Sequence, residues 1–251
     1  MAATNFIAVS KPLKEALKSA NLLKSLKLNT LISGEPGTGR HTLAKLMMPE
    51  APVVHGNHPD LFNLMEKHDQ LVIDRFETIE NYPKFFQTIQ KRGIHIVAVV
   101  NGETADLHGG FFSVRITIPP LKERPEDIDP LVEKFKSEVL GMFGDEDSKD
   151  FEVEREKLDI SRNAFSLRRS IVLQYLASGI GEVDLLYLNE KFLAERMERT
   201  GEVYRKMLYL YEVPLIRAGT KRYKSQLKMS KAFGLNRNTL RKKIGEWREY
   251  L

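Results

Sequence analysis

Gly34-Glu35-Pro36-Gly37-Thr38-Gly39-Arg40-His41-Thr42 decides how the first half of the chain is read. It follows a short apolar run, Asn29 to Ser33, and opens a stretch of helical spacing, Thr42 to Met48. A glycine-rich turn between a strand and a helix lets backbone N–H groups wrap phosphate oxygens at a helix N-terminus. The same residues also read as a tight strand-to-helix turn that binds nothing. The phosphate-wrapping pattern requires Lys after the last glycine, because a compact ammonium must reach the terminal phosphates. Here Arg40 stands in that place, with a longer planar head.

Outward from the loop, Leu71-Val72-Ile73-Asp74 is an apolar strand ending in an acid, the pattern in which an Asp holds magnesium through water. Asp74 reads equally as a strand-end acid. The Glu that would activate an attacking water is replaced by Arg75, and a guanidinium is no base. Ile94 to Val100 is a third buried strand. Leu13, Ala16, Leu17 and Ala20 form one helix face after a Ser10 cap, and Tyr82 to Lys91 is a further helix. Strands alternating with helices predict a mostly parallel sheet covered by helices. After Pro119-Pro120 only helical patterns remain. Pro125, Glu126 and Asp127 suit a first turn, and Ile128, Leu131, Val132 and Phe135 form its apolar face. Gly144 to Lys157 is an acid-rich solvated stretch. Two more helical patterns, Ala164 to Leu176 and Val183 to Met197, lead to a break near Thr200-Gly201. Domains are therefore expected at 1–120, 121–200 and 201–251.

Composition limits the function classes. At 251 residues, with 42% hydrophobic and 29% charged residues, the chain has the make-up of a globular protein rather than a disordered or fibrous one. It has no Cys, which excludes disulfides, thiolate zinc sites and thiol catalysis. The longest strongly apolar run, Ile96 to Val100, falls far short of the roughly 18 residues of a membrane span, and the N-terminus has no signal-like segment; a cytoplasmic protein is expected. The net charge of +5 is unevenly placed: residues 201–251 carry 13 Lys and Arg against 4 Asp and Glu, so the preceding 200 residues are net acidic. Such a block is the electrostatic footprint of a nucleic-acid-binding module, although a solvated basic helix face has the same composition. His55, His58, Asp60 and His68 lack the i, i+4 spacing of a helical metal site, and no metal is assigned to them.

Taken together, these residues resemble the bacterial sigma-54-dependent enhancer-binding activators, AAA+ ATPases of the NtrC type that usually end in a Fis-type helix-turn-helix. Ser33 to Arg40 looks like the family's GESGTGK. Ile96-Val97-Ala98-Val99-Val100-Asn101 looks like its IIAATN, which puts Asn101 at the sensor I position. Ile118-Pro119-Pro120-Leu121-Lys122-Glu123-Arg124-Pro125-Glu126-Asp127-Ile128 looks like its LPPLRERREDI. The resemblance implies an α/β AAA+ P-loop domain, a small helical lid subdomain and an all-α Fis-type domain. It implies nucleotide contacts at Gly34, Gly37, Thr38, Gly39, Arg40, His41, Asp74 and Asn101, with ATP or ADP and magnesium as cofactors. It also brings out departures. Nothing between Gly34 and Asp74 resembles the GAFTGA loop that engages sigma-54. Asp106 to Phe111 aligns with DLYYRL so that the finger arginine falls at Gly110, and Phe165 stands where GNVREL carries the sensor II arginine. With Arg40 and Arg75, these changes predict a head that does not hydrolyse ATP, a pseudo-ATPase serving as scaffold or nucleotide sensor and not an enzyme.

The tail follows the family more closely. Gln226 to Phe233, Gly234-Leu235-Asn236 and Arg237 to Lys243 predict helix, tight turn and helix. Leu235 to Lys243 resembles the Fis recognition helix, INRxTLRKK. The resemblance implies DNA contacts from Asn236, Arg237, Asn238, Thr239, Arg241, Lys242 and Lys243, with Leu235 and Leu240 packed inward. Residues 201–217 resemble the helix through which Fis domains dimerise. The expected function is a sequence-specific DNA-binding transcriptional regulator acting as a homodimer, with hetero-oligomers with a competent activator as a further partner. An atypical active ATPase of the sigma-54 activator class and a nucleoid-type architectural protein are the alternatives.

Overall fold

The computed structural model describes residues 6–102, 110–143, 151–197 and 201–251. The chain divides into two compact units, Met1–Gly179 and Ile180–Leu251. In the first, five strands form one parallel sheet: β1 (Thr30–Gly34), β2 (Val53–His55), β3 (Gln70–Asp74), β4 (His95–Val99) and β5 (Val114–Ile118), in the order β2-β3-β4-β1-β5. Because a strand's side chains alternate between two covered faces, β4 is apolar from Ile96 to Val99. Val97 and Val99 pack on one side, with α1 (Lys11–Leu26) and α2 (Arg40–Met47), through Ala16, Ala20, Leu43 and Ala44. Ile96 and Ala98 pack on the other, with α3 (Leu61–Lys67) and α4 (Tyr82–Arg92), through Met65, Phe76, Phe85 and Ile89. Both faces of the sheet are covered, as the alternation predicted. Three elements escaped sequence reading: β2 and α3 are very short, and β5 carries exposed polar residues at alternate positions.

A helical layer completes the unit. Two single 3-10 turns, Leu121–Glu123 and Pro125–Asp127, lead into α5 (Ile128–Phe143), which packs against α6 (Ala164–Gly179) through Leu121, Val132, Phe135, Val139, Leu167 and Ile171. This layer is held to the sheet by a buried ionic knot. Asp127, fully buried, accepts from the backbone N–H groups of Val9 (2.8 Å) and Ser10 (2.9 Å) and from the Ser10 hydroxyl (2.6 Å). It also accepts from the Arg124 guanidinium at 3.2 Å. Ser10 therefore sits at the N-cap position of α1, but its hydroxyl serves Asp127 rather than the helix. Arg124 in turn donates to the carbonyls of Pro119 (3.0 Å) and Thr38 (2.7 Å). The segment from Ile118 to Ile128 is thus the joint between sheet, helical layer and N-terminal segment.

The second unit contains α7 (Glu182–Ala194), α8 (Val203–Met207), α9 (Tyr209–Tyr223), α10 (Gln226–Ala232) and α11 (Arg237–Glu246). This division groups α7 with the C-terminal helices, whereas the sequence bounds placed residues 121–200 together; Thr200 itself lies outside the described residues. Val213, Ile216, Met229 and Leu240 are buried. Gly219 lets α9 and α10 cross closely, since a Cβ there would lie 2.4 Å from the Phe233 ring. Glu212, buried on α9, accepts from Lys243 and from Trp247 Nε1 (2.7 Å), pinning α11 to α9.

Burial pushes the Asp127 carboxyl up, but the Ser10 hydroxyl, the two backbone N–H groups and Arg124 outweigh it and hold the group below its ordinary value. A depressed carboxylate stabilises the fold above its unfolded value and loses that contribution as the pH falls through the folded one. Asp127→Ala is expected to cost about 3–5 kcal/mol in urea unfolding at pH 7, because Arg124 is left buried and uncompensated. Its deficit against the wild type should shrink below about pH 3.8; a pH-independent deficit under about 1 kcal/mol would show the knot to be idle.

Candidate functional site

The phosphate-type loop lies at the carboxyl end of β1, in the middle of the sheet, and closes on the N-terminus of α2. Ligands of open parallel sheets bind in this crevice. Gly34, Gly37 and Gly39 have φ of 147°, 83° and 108°, values that disfavour a side chain. At Gly37 space is also missing: a Cβ would sit 2.7 Å from the Arg162 carbonyl and 3.1 Å from the Phe165 ring. The loop is fastened from the helical layer. Ala164 N–H donates to the Gly37 carbonyl (3.1 Å), and the buried Asn163 donates from Nδ2 to Glu35 Oε2 and the Pro36 carbonyl, both at 3.0 Å. Asn163 Oδ1 accepts from Leu121 N–H at 2.6 Å. With Arg124 on the Thr38 carbonyl, both shoulders of the loop are set by residues about a hundred positions downstream. Thr38, buried, spends its hydroxyl on the Glu35 carbonyl (2.8 Å).

Arg40 does not reach into the crevice as a lysine substitute. Its guanidinium is buried and donates to the Val100 carbonyl and to Asn101 Oδ1 (2.8 Å), so it ties α2 to the end of β4. Desolvation by burial lowers its pKa, while Asp74 and Glu77 act in the opposite direction. Asn101 passes the contact on: its Nδ2 donates to Glu77 Oε1 at 2.7 Å. Glu77 is the functional candidate that sequence reading missed. Arg75 adopts a left-handed conformation (φ 48°) and starts a 3-10 turn, Phe76–Thr78, which returns the chain so that residue 77, not 75, faces Asn101. Glu77 Oε2 is buried without a hydrogen-bond partner, a costly arrangement that fits a water or ligand group at that oxygen.

Asp74 is flanked by two imidazoles. His41, the second residue of α2, meets Oδ1 through Nε2 at 2.6 Å, and His55, the last residue of β2, meets Oδ2 through Nδ1 at 3.1 Å. Both histidine side chains are about half exposed and Asp74 is nearly buried. His55 was considered in sequence as a loop residue with His58, Asp60 and His68; its partner is instead Asp74. Among the described residues no group of three His, Asp or Glu side chains is arranged to hold a metal ion. Each oxygen of the Asp74 carboxylate thus has a histidine ring nitrogen beside it. Beside the loop, a cavity of about 180 Å³ is lined by Phe6, Ile7, Leu131, Phe135 and Phe165, with Arg168 at its edge, and has room for a flat heteroaromatic ring. Phe165 at the expected sensor II place lies against Gly37 and is exposed. Gly110 is described and exposed, while 103–109, including the start of the expected finger segment, lies outside the described residues.

In the second unit, Arg237, Asn238, Thr239, Arg241 and Lys242 are exposed along α11, and Leu240 is buried on its opposite side. Asn236 caps α11 by accepting from Asn238 N–H at 2.8 Å. Lys243, grouped in sequence with the DNA contacts, is held by Glu212 inside the unit. Gly234, at φ 64°, turns the chain between α10 and α11.

Sheet order, central loop and helical layer define the AAA+ P-loop fold. Solved structures agree. NtrX from Brucella abortus in complex with ADP superposes with a TM-score of 0.62 at 14% identity over 97% of this chain and 69% of that one. Its complex with ATP gives 0.56 at 14% identity over 96% and 69%, and a further structure of NtrX from Brucella abortus gives 0.56 at 15% identity over 96% and 68%. No family model and no curated protein sequence matches the chain. These neighbours correct one expectation. The shared fold is that of AAA+ ATPases crystallised with ATP and ADP, which points to an ATPase rather than to a non-enzyme. That expectation rested on Arg40, Arg75, Gly110 and Phe165 standing where the resemblance implies catalytic groups. No helix among the described residues is long and apolar enough to cross a membrane.

Gly37→Val is expected to abolish ADP-dependent stabilisation in thermal melting and to lower the melting temperature itself, because the new side chain displaces Arg162 and Phe165. Glu212→Ala is expected to destabilise the second unit by about 2–4 kcal/mol through the uncompensated Lys243 and Trp247 partners, read by tryptophan fluorescence at the only Trp in the chain.

Proposed function

We propose that the chain is a DNA-binding transcriptional regulator whose AAA+ head binds an adenine nucleotide and turns it over as an atypical ATPase. The observation that carries the DNA reading is α11, whose exposed stripe combines two arginines, able to address guanine bidentately, with Asn238, Thr239 and Lys242. Lys243 takes no part in the interface; its ion pair with Glu212 aims α11. Recognition is by a dimer on a two-fold site, as in Fis-type domains. A second copy of the chain is favoured by the apolar surface of α7, where Val183, Leu185, Leu186, Tyr187 and Leu188 are all exposed. Within 201–217 the large exposed hydrophobic side chains are Tyr204 and Tyr211, so α7 joins that segment in the proposed interface.

In the head, the loop amides hold the phosphates and the Phe6–Phe165 cavity takes the base. Glu77 serves as the general base: Asn101 fixes one oxygen, and the other takes a proton from the water that attacks the terminal phosphorus, with ADP as the leaving group. The absence of a GAFTGA-like segment fits a head that does not remodel sigma-54 polymerase; between α2 and β3 the chain is occupied by β2 and the short α3, anchored by Leu61 and Met65.

Phosphate release by the full chain is expected to be slow but above background, and Glu77→Gln should remove it while ADP still binds; no release from the wild type would overturn the ATPase reading. Selection from random duplexes should enrich a two-fold motif, with Arg237→Ala and Arg241→Ala each losing about 1–3 kcal/mol and relaxing the sequence preference. Lys242→Ala should weaken all duplexes alike and reduce the salt slope by about 0.9. Failure to enrich any motif would argue for an architectural role.

A further inference from the structure

Two observations at the crevice concern the same charges. Arg40, in the place where a cation would reach the terminal phosphates, points inward and donates to the Val100 carbonyl and Asn101. Asp74, in the place where a carboxylate would hold magnesium through water, has an imidazole on each oxygen. The crevice thus receives no cation from Arg40 and has its metal-side carboxylate flanked, and it holds two histidines, one at the carboxyl end of β2 and one at the start of α2. A triphosphate or diphosphate bound in the loop needs positive partners, and His41 and His55 are the side chains beside Asp74 able to supply them when protonated.

We infer that this head holds nucleotide phosphates without magnesium, through His41 and His55. The inference rests on the nucleotide reading above and specifies how that site is charged. Asp74 orients both rings. Nε2 of His41 hydrogen-bonds Oδ1 and Nδ1 of His55 lies 3.1 Å from Oδ2, so on imidazolium rings the N–H groups left to donate to a phosphate oxygen are Nδ1–H of His41 and Nε2–H of His55, both half-exposed. A carboxylate that fixes an imidazole's orientation while its other nitrogen engages the ligand is a familiar division of labour. Here it is applied to an anion in place of a metal. Asp74 is thus paired with the two rings and lies in the field of Arg40.

The test is calorimetric titration of the full chain with ADP, once in excess magnesium and once in EDTA, for the wild type and for His41→Ala/His55→Gln. The expected wild-type affinities agree within about twofold, and the double variant loses about tenfold or more in EDTA, the worth of one or two charge-assisted hydrogen bonds. Magnesium should partly restore the variant, because Asp74 is then free. A wild type that binds ADP in magnesium and loses about tenfold in EDTA overturns the inference while leaving the nucleotide reading intact. So does a double variant whose EDTA affinity is unchanged. If ADP binds in neither buffer, by calorimetry and by thermal shift alike, the nucleotide reading fails and takes this inference with it. Thermal melting of the unliganded variant, expected within a few degrees of wild type for half-exposed side chains, shows that lost binding is not lost folding.

Discussion

Arg124 is the side chain on which most of the head depends. It is buried beside Asp127, and its three nitrogens reach a carboxylate, the Pro119 carbonyl and the Thr38 carbonyl. A guanidinium presents its donors in a fixed planar fork, so satisfying all of them dictates the mutual positions of the groups that accept. Those groups belong to three places: the end of the sheet, the start of the helical layer and the phosphate-type loop. Through Asp127 the N-terminal segment at Val9 and Ser10 joins as a fourth. A lysine in place of Arg124 would supply one compact cation and leave carbonyls unpaired in the interior.

The loop geometry follows from this knot and from Asn163. One holds the Thr38 carbonyl, the other the Glu35 and Pro36 side, and Ala164 N–H takes Gly37 between them. Fixing the carbonyls of a tight glycine-rich loop from outside orients its N–H groups toward the crevice before any ligand arrives, which lowers the ordering cost of binding. The same coupling works in the other direction. A ligand that shifts the loop strains contacts to α5 and α6, so the helical layer is the element through which occupancy of the crevice can be transmitted.

Much of this was legible in the sequence, for physical reasons that differ from element to element. β3 and β4 declared themselves through the unbroken apolar runs Leu71 to Ile73 and Ile96 to Val99 of strands covered on both faces, and α1 because its buried stripe repeats at helical spacing. β5 and β2 did not: the first sits at a sheet edge and shows only alternate apolar residues, and the second is three residues long. The loop was readable from its glycines. The directions of the side chains around it were not. Arg40 was expected at the phosphates and instead crosses to Val100, and His41 and His55, far apart in sequence, meet on one carboxylate. Glu77 was hidden for a single reason, the left-handed turn at Arg75, which no local propensity announces. Lys243 shows the same limit in the second unit, since it shares the recognition pattern but spends its charge on Glu212.

The central proposition is that a loop pre-set by Arg124 and Asn163 receives nucleotide phosphates. Amide hydrogen exchange of the full chain with and without saturating ADP addresses it directly. Protection should rise at Gly37 to Thr42 and extend to Leu121 and Ala164, which are hydrogen-bonded to Asn163 and to the loop. Exchange at the loop that is indifferent to ADP would contradict it and leave the glycine turn as a structural junction.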